Sequence, residues 1–532
     1  MKRLLTVLLA GLLAAGAVTG CSQEPGASSA AAPSADGSSS AAETSSAAGE
    51  ADTSEQVNLV YYYWGTPQND LASVNEALNE YLLEKMNTTV ELKLIDGGTY
   101  DSKMALVMSG NEEYDLCFTS SWANNYYTNV ANGAYVDMGP LLDAYAPVTK
   151  ETAPQRFWDA ITVNGRIYGA INFQQSAAGF GFRVQAPLAD KCEFDWQNAK
   201  QLSDIEPFLE DVKANEPNLI PLGYNRTVDP FVKGPIAWGY DAIGDIFSPG
   251  WVALDDESLT VANQYDTDAF REYTALTRSW YEKGYLRADA ATLSDVTPDV
   301  KAGKYAIEYE QIDLGTEDFE AAGLEYQGRM YAQSGIVSYD HKFIEPILTN
   351  EKASATMTSI SVTSRHPERA MMFIELMNTD RYAYNLLCNG IEDKHYTREG
   401  ELINIIPDGG YQPFTSWEFG NMANCYIASG NWPAGGEEIR EDGLTVANGM
   451  WYDLNQNVEG SPLLGFVFDA EPVKSEIANC QAVIDQLYYS ISCGSVDPET
   501  YIPQFNDQLK AAGMEKIIAE KQKQLDEWKA AL

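Results

Sequence analysis

Carboxylates are the most abundant side chains in this sequence that could do chemistry. The chain of 532 residues has 77 Asp and Glu but only 3 His. A pair of carboxylates can act as general acid and general base, yet so many acids supply such pairs everywhere. Their number therefore neither supports nor excludes a catalytic site.

The other residue patterns favour no enzyme. The sequence contains no Gly-x-Ser-x-Gly elbow, no His-Glu-x-x-His zinc helix and no phosphate-binding loop. A His-based mechanism has little material in His341, His366 and His395, and we expect a structural hydrogen bond from His395. We expect no catalytic residue, no metal site and no cofactor, although a metal that assists folding is left open.

Cys21 is the side chain whose surroundings most specifically indicate a modification. Lys2 and Arg3 precede an apolar run, Leu4 to Val18, that is too short to span a bilayer comfortably. The next residues, ending in Thr19-Gly20-Cys21, resemble a bacterial lipobox, in which the Cys sulfur is diacylated before cleavage. We expect residues 1–20 to be a signal peptide and Cys21 to carry two acyl chains, about what stable anchoring needs.

A linker rich in Ser, Ala and Gly follows Cys21. Residues 21–56 contain no run of large apolar side chains, so they cannot bury enough surface to offset their ordering entropy. We expect a disordered linker. Together with Cys21, it predicts a protein held by lipid on the extracytoplasmic face of a bacterial cell membrane, in a Gram-positive organism.

The remaining cysteines show no tight metal-binding spacing. They are Cys117, Cys192, Cys388, Cys425, Cys480 and Cys493. Most lie in apolar surroundings, which is typical of small buried hydrophobic side chains. A disulfide such as Cys480 to Cys493 is possible in an exported protein, but spacing alone does not establish one.

The net charge excludes one class of partner. It is −42 for the full chain and becomes more negative when Lys2 and Arg3 leave with the signal peptide. Such an excess of acids repels nucleic acid and anionic lipid, and the sequence lacks basic patches with interleaved aromatic residues. We therefore expect no nucleic-acid partner.

Hydrophobic periodicity predicts an α/β body that begins at Val57. Residues 57–65 read as a buried strand, the next apolar positions recur at helical spacing, and Val90, Leu92 and Leu94 alternate with charged residues. This strand, helix and strand form a parallel unit. Further helices are expected near residues 100–109, 141, 153–160, 204–215, 267–283, from Pro367, and at 514–532; further strands are expected at 114–118, 164–173, 181–184, 305–309 and 358–364.

The same pattern predicts two lobes. We place lobe 1 at residues 57–170 and 336–387, and lobe 2 at residues 171–335 and 388–532, with the region after about Cys388 rich in helix. Trp64 and the segment Ser120 to Trp122 lie where predicted strands of lobe 1 leave the sheet. Because ligands of α/β sheets gather at the carboxyl ends of strands, these residues are candidates for a binding site.

Four segments resemble the extracellular solute-binding lipoproteins of ABC importers, in the carbohydrate-oriented family 1 group. They are Pro367-Glu368-Arg369-Ala370 with its helix, residues 389–396, residues 465–469 and residues 520–528. The resemblance covers essentially the whole chain. Relatives usually have Gly where this chain has Asp393, so the local turn is the point of departure from the family pattern.

The resemblance implies an architecture and a task. It implies a type II periplasmic-binding-protein-like α/β fold, in which two lobes joined by hinge strands close on a solute. The ABC importer's permease subunits would then receive the solute, a small carbohydrate, from a monomeric receptor.

The resemblance also implies which residue types bind the ligand. Sugars present C–H faces that stack on aromatic rings and hydroxyls that need polar side chains. By analogy with the family, the stacking candidates are Trp64, Trp122, Trp238 and Trp417, and the polar candidates are Ser120, Asn172, Gln174, Glu310 and Asp313.

Other functions remain open from the sequence alone. The lipid anchor and the linker would suit three alternatives equally well. They are a surface-anchored glycoside hydrolase, a receptor for a peptide or another solute, and an adhesin. The sequence does not name the solute or its chain length.

Overall fold

The computed structural model describes residues 52–224, 229–293, 296–325, 328–330, 335–430 and 432–531. The predicted signal peptide, the lipidation of Cys21 and most of the predicted linker lie outside the described residues. Within the described ranges, no helix has the length and apolarity needed to cross a membrane.

The strands of the described residues fall into four sheets. In chain order they are β1 Val57–Gly65, β2 Thr88–Asp96, β3 Leu116–Thr119, β4 Ala170–Ile171, β5 Ala178–Gln185, β6 Ile220–Gly223, β7 Tyr240–Ala242, β8 Trp251–Ala253, β9 Val261–Ala262, β10 Tyr305–Gln311, β11 Gly328–Arg329, β12 Val337–Leu348, β13 Met357–Ile360, β14 Tyr396–Glu399, β15 Leu402–Ile405, β16 Ile427–Ala428 and β17 Glu459–Gly460.

The described residues also form nineteen α-helices. In chain order they are α1 Leu71–Met86, α2 Tyr100–Ser109, α3 Tyr126–Ala131, α4 Gly139–Tyr145, α5 Pro147–Thr152, α6 Gln155–Ile161, α7 Ala186–Lys191, α8 Glu206–Asn215, α9 Pro230–Lys233, α10 Asp268–Lys283, α11 Thr297–Lys301, α12 Thr316–Ala321, α13 Asn350–Ala353, α14 Pro367–Thr379, α15 Arg381–Asn389, α16 Val446–Asn457, α17 Lys474–Ser492, α18 Pro498–Ala512 and α19 Met514–Ala531. Short 3₁₀ turns include Ser416–Glu418 and Met422–Asn424.

The first sheet has the strand order β2-β1-β3-β13-β4. Strand β1 pairs in parallel with β2 and with β3, whereas β13 is antiparallel to β3 and β4. The predicted strand-helix-strand unit is confirmed, because α1 buries Val74, Leu78, Leu82 and Met86 against this sheet. Burying four such side chains contributes roughly 6–12 kcal/mol.

The second sheet has the strand order β11-β12-β5-β10-β6, and β17 pairs with β12. Phe180 and Phe182 of β5 and Ile307 and Tyr309 of β10 lie in a separate hydrophobic core. Helices α8, α10, α17 and α18 pack on it through their buried faces. Lobe 1 is therefore built around the first core, and lobe 2 is built around the second.

A small third core holds the end of the chain against lobe 2. The sheet β7-β8-β9 contributes Val252 and Val261, and α19 contributes Leu525. Residues 463–466 supply Leu463 and Phe466 to the same core. The C-terminal helix is thereby fixed to the surface of lobe 2.

The chain passes between the lobes at three places, which we call crossovers. The first crossover, residues 172–177, links β4 of the first sheet to β5 of the second. The second, residues 349–356, links β12 to β13, and the third, residues 458–462, follows α16 and contains β17. Two of these crossovers lie side by side, since Asn172 N donates to Thr356 O at 3.1 Å.

Two lobe boundaries differ from those expected from the sequence. Strand β12 lies in the second sheet, although residues 336–348 were assigned to lobe 1. Buried residues of α15 and α16, such as Cys388 and Trp451, lie in the first core, although the sequence places residues 388–532 in lobe 2. The reason is that strand pairing and core membership depend on long-range contacts that leave no local mark in the sequence.

Two local expectations are confirmed only in part: the region after Cys388 is rich in helix from α16 onward but not before it. Residues 390–445 are mostly loops, 3₁₀ turns and the small sheet β14-β15-β16 rather than helix, because Gly and Pro interrupt the pattern throughout. The expected turn at Asn164-Gly165 is present, closed by a bridge between Val163 and Arg166, but the strand after it is only the short β4, since the chain leaves the sheet after Ile171 to cross to lobe 2.

Candidate functional site: a pocket at the crossovers

A pocket of about 250 Å³ lies where the first two crossovers meet the two lobes. Its walls come from loops of lobe 1, from both crossovers and from the end of β10 in lobe 2. The lining residues are Trp122, Gln174, Gln175, Ser176, Gln311, Glu351, Lys352, Ala355, Thr356 and Trp417. We call it the crossover pocket.

Three indole rings form a cluster on the lobe 1 side. Trp64 follows the buried part of β1, and its ring centroid lies 5.7 Å from that of Trp122 and 5.6 Å from that of Trp417. The Trp122 and Trp417 centroids are 5.8 Å apart. Residues from three distant parts of the sequence thus form one aromatic surface, the tryptophan cluster.

Hydrogen bonds to backbone carbonyls orient two of these rings. Trp122 Nε1 donates to Ala355 O at 2.8 Å, which ties the ring to the second crossover. Trp417 Nε1 donates to Phe414 O at 2.9 Å. The Trp122 side chain is nevertheless 48% exposed, so a ring face remains open to a ligand.

The loop after β3 holds Trp122 in place through Ser120. The Ser120 hydroxyl is fully buried, accepts from Ala123 N at 2.7 Å and from Trp122 N at 3.2 Å, and donates to Ala123 O. Ser121 N donates to Ser354 O at 2.8 Å, which joins this loop to the second crossover. Ser120 therefore orders the loop and does not line the pocket.

A row of hydrogen-bonded polar side chains forms another part of the pocket wall. Lys352 Nζ donates to Gln311 Oε1 at 2.9 Å and lies 3.2 Å from a Glu351 oxygen. Gln311 Nε2 in turn donates to Asp313 Oδ1 at 3.0 Å. The wall thus offers an ammonium, a carboxylate and an amide to a ligand.

Asp313 lies behind this wall, 9% exposed. Burial raises the pKa of its carboxyl to about 6, against the opposing effects of the hydrogen bond from Gln311 and the charge of Lys352. Because Asp313 contacts Gln311, it acts on the pocket through that side chain.

Asn455 of α16 positions the first crossover. Its Nδ2 donates to Gln174 O at 2.6 Å, and its Oδ1 accepts from Ser176 N at 3.3 Å and Ala177 N at 3.2 Å. The side chain is fully buried. One amide thereby fixes the backbone that carries Gln174 and Ser176 into the pocket.

A buried carboxyl lies next to Trp417 in sequence. Glu418 is 0% exposed, and neither of its carboxylate oxygens has a hydrogen-bond partner among the described residues. Burial therefore holds the pKa of Glu418 well above its ordinary value. The Thr415 hydroxyl is likewise buried without a described partner.

Three predicted site residues lie elsewhere. Asn172 is buried at the start of the first crossover, where its Nδ2 donates to Glu418 O at 2.5 Å. The Trp238 ring packs in the lobe 2 core 5.3 Å from Tyr273. Glu310 pairs with Lys233 at 3.2 Å. None of the three is among the residues lining the crossover pocket.

Several pocket residues escaped the sequence analysis. They are Gln175, Ser176, Gln311, Glu351, Lys352, Ala355 and Thr356. Gln175 and Ser176 directly follow the candidate Gln174, and Gln311 lies between the candidates Glu310 and Asp313, so proximity to them was an available signal. Nothing local distinguishes Glu351 and Lys352, which reach the pocket because the second crossover returns beside the first.

The described residues contain no group of three or more His, Cys, Asp and Glu side chains arranged to hold a metal ion. The polar wall of the crossover pocket suits hydrogen bonding to a neutral, hydroxyl-rich molecule rather than metal coordination.

Part of the chain matches a family model, and most of it is similar to a known protein. Residues 462–530 match a family described as a domain of unknown function, DUF3502. Over 482 residues the chain is 26% identical to a carbohydrate ABC transporter substrate-binding protein of Streptococcus pneumoniae serotype 4 (strain ATCC BAA-334 / TIGR4), covering 90% of this chain and 92% of that relative.

Solved structures are similar over the same extent. The N-glycan transport solute binding protein NgtS from Streptococcus pneumoniae is 24% identical with a TM-score of 0.75, covering 89% of this chain and 99% of that one. The structure of NgtS in complex with Man1GlcNAc has a TM-score of 0.69 at the same coverage. The resemblance expected from the sequence is confirmed by these similarities, and the fold is the predicted type II periplasmic-binding-protein-like fold.

Proposed function

We propose that this chain is the substrate-binding protein of an ABC importer and that it captures a small carbohydrate, an oligosaccharide, in the crossover pocket. The observation that carries the proposal is the position of the tryptophan cluster. Trp122 and Trp417 line the same pocket as several hydrogen-bonding side chains, and both lobes and two crossovers contribute to that pocket.

The pocket chemistry matches a sugar. The C–H face of a pyranose stacks on an indole ring, and its hydroxyls need donors and acceptors. Gln174, Gln311 and Lys352 supply donors, and Glu351 supplies an acceptor. The relatives with similar sequence and structure are named for carbohydrate or N-glycan transport, which supports the same ligand class.

Binding requires no covalent step. Trp122 and Trp417 belong to lobe 1, Gln311 belongs to lobe 2, and the crossovers between them are the places where the backbone can rotate. A ligand that contacts both lobes favours the closed form by its extra contacts there. The permease subunits would then recognise the closed form.

The proposal includes the anchor inferred from the sequence. A lipid on Cys21 and the linker that follows would keep a monomeric receptor at the extracytoplasmic face of a Gram-positive cell membrane, near its importer. The similar Streptococcus proteins are consistent with that setting.

The first prediction tests the tryptophan cluster. Titration with a panel of oligosaccharides, including mannose and N-acetylglucosamine glycans, should change the intrinsic Trp fluorescence saturably for at least one sugar. Trp417→Ala and Trp122→Ala should each weaken binding of that sugar about tenfold or more, since a stacked ring contributes roughly 1.5 kcal/mol or more. Isothermal titration calorimetry gives Kd independently of the lost fluorophore.

The matched control is Trp528→Phe, because Trp528 of α19 packs on Phe466 in the third core, away from the pocket. It should leave Kd unchanged. A response to peptides but not to sugars would contradict the ligand class. Shortened sugar products in the recovered ligand would instead favour the glycoside hydrolase alternative.

A further inference from the structure

Two cysteines that are distant in sequence meet in lobe 1. Cys388 lies in the last turn of α15, and Cys425 directly follows the 3₁₀ turn Met422–Asn424. Side chains of α15 on either side of Cys388 hold the segment around Cys425: Asn385 Nδ2 donates to Asn424 O at 2.8 Å, Asn385 Oδ1 accepts from Tyr426 N at 2.9 Å, and Asn389 Nδ2 donates to Cys425 Sγ. The hydrogen bond from Cys388 is the first cause that lowers the pKa of Cys425. The Cys480–Cys493 disulfide that the sequence left open is not formed: Cys480 lies in α17 and Cys493 follows its last residue, about 20 Å away at 1.5 Å per residue, and both thiols are free.

The surroundings of Cys425 favour its thiolate. Asn389 Nδ2 donates to Cys425 Sγ at 3.8 Å. The Arg381 guanidinium, whose Nε donates to Asn424 O at 3.3 Å, also lowers the pKa of Cys425 through its charge. A thiolate is the attacking species in thiol–disulfide exchange, so Cys425 is suited to react first.

The other described cysteines differ in this respect. Burial raises the pKa of Cys117 and Cys192 to about 12 and that of Cys480 to about 11, and it also raises the pKa of Cys493. These four thiols therefore have little thiolate at neutral pH. Among the described cysteines, the lowered pKa belongs to Cys425.

A small molecule can reach the pair. Cys388 and Cys425 line a second cavity of about 150 Å³. It shares no lining residue with the crossover pocket, but Ser416 of the second cavity directly precedes Trp417 of the first. Phe414 lines the same cavity and is 60% exposed, so the cavity extends to the surface. We call it the thiol cavity.

We propose that Cys388 and Cys425 form a reversible disulfide by exchange with a low-molecular-weight disulfide. The Cys425 thiolate attacks one sulfur of the oxidant, forms a mixed disulfide and releases one thiol. The Cys388 sulfur then attacks Cys425 Sγ, gives up its proton and displaces the second thiol. The two protein thiols are oxidised, and one external disulfide is reduced to two thiols.

The bond would act on the ligand-binding segment. It would close a loop that runs from Cys388 to Cys425 and contains Phe414, with its positive φ of 56°, and Trp417. Cross-linking a loop restrains the conformations that its residues can adopt. The pair thus provides a site at which the redox state adjusts the wall that carries Trp417.

The experiment treats the full chain with oxidised glutathione and maps its tryptic peptides under non-reducing conditions. Cys388 lies in the peptide 382–394 and Cys425 in the peptide 399–440. We expect these two peptides to be linked, and dithiothreitol to separate them. Cys388→Ser should instead retain glutathione on Cys425, Cys425→Ser should give neither product, and Cys480→Ser should still give the linked pair.

A second measurement does not depend on the variants folding. With limiting iodoacetamide, Cys425 of the unmodified protein should be alkylated several-fold faster than Cys117 or Cys480. The proposal is overturned if the oxidised protein lacks the linked peptides, if Cys425 accumulates only as a stable glutathione adduct in the presence of Cys388, or if Cys425 is no faster than the buried thiols.

Discussion

Glu418 departs from the general pairing of buried carboxylates. Its oxygens are buried and lack described partners, whereas Asp70 has the opposite surroundings. Asp70 accepts hydrogen bonds from Lys394, Ser73 and His395, which hold its pKa well below the usual range. The first carboxyl favours the protonated form in the folded state, and the second favours the ionised form.

We expect Glu418→Gln to remove a pH-dependent destabilisation. Because the folded-state pKa of Glu418 is raised, ionisation above the unfolded pKa near 4.3 opposes folding. The free energy of unfolding of the variant should therefore exceed that of the unmodified protein by a margin that grows as pH rises from 4.5 to 8. Urea unfolding at several pH values measures this difference.

The exposed Glu399→Gln is the control for that prediction. It should track the unmodified protein across the pH range. A difference for Glu418→Gln that shrinks with rising pH would contradict the assignment of a protonated buried carboxyl.

The local roles of two residues could be predicted from the sequence. His395 makes the expected structural hydrogen bonds: Ile391 N donates to its Nδ1, and its Nε2 lies 2.8 Å from Asp70 Oδ2. Asp393, the predicted point of departure from the family pattern, has a φ of 63°, in the left-handed region that glycine favours. Asp393 N donates to Tyr396 O at 2.8 Å, and this backbone bond closes the turn.

At the scale of elements, α19 shows how a helix accommodates a charge in its buried face. Ile517, Lys521 and Leu525 recur at a spacing of four and are all buried. Lys521 Nζ donates to Ser248 O at 3.3 Å and Gly250 O at 3.4 Å. Burial lowers the pKa of this amine to about 7, although the charge of Asp245 opposes the shift.

Lys521→Met should flatten the alkaline limb of the stability curve. Between the folded pKa of about 7 and the ordinary value of 10.5, the unfolded state binds more protons than the folded state. The free energy of unfolding of the unmodified protein should thus rise with pH in this window, by at most about 1.4 kcal/mol per pH unit. Denaturant unfolding between pH 7 and 10 compares the two proteins.

The control for α19 is Lys523→Met, since Lys523 is exposed on the same helix. Its curve should remain parallel to that of the unmodified protein. A slope for Lys521→Met equal to that of the unmodified protein would show that Lys521 does not titrate in this window.

At the scale of the whole molecule, two cores are joined by three crossovers, and the crossover pocket lies at two of them. Asn455 belongs to a helix of the lobe 1 core yet bonds the first crossover at three backbone groups. This side chain therefore connects the packing of lobe 1 to the position of Gln174.

Asn455→Ala should weaken folding and ligand binding together. Removing the amide leaves buried backbone groups unpaired, which costs about 2–3 kcal/mol in the free energy of unfolding. The crossover should also lose its fixed position, which raises Kd for the sugar identified by titration. Urea unfolding and calorimetric titration give the two quantities.

Asn457→Ala on the same helix is the comparison, because Asn457 is exposed and bonds only locally to Asp453 O. It should change neither quantity appreciably. A loss of stability in Asn455→Ala with unchanged Kd would separate the fold from the pocket and contradict the positioning role.

The sequence by itself determined the fold class and many elements. The period of two in β2 and the helical spacing in α1 and α14 are local consequences of which side chains must be buried, and the predicted faces are buried in the structure. It also identified Trp64 and Trp122 as candidates, because each lies at the end of a strand that could be located in the sequence.

Only the tertiary structure decided which distant residues meet. Trp417 joins Trp64 and Trp122, Lys352 meets Gln311, and Cys388 and Cys425 line one cavity, through crossovers and loops that have no periodic signal. Trp238 and Asn172 have suitable chemistry, but Trp238 packs against the lobe 2 core and Asn172 is buried at the start of the first crossover. The physical reason is that periodicity reports the burial of a face, whereas a pocket depends on how separate faces and loops are brought together by long-range packing.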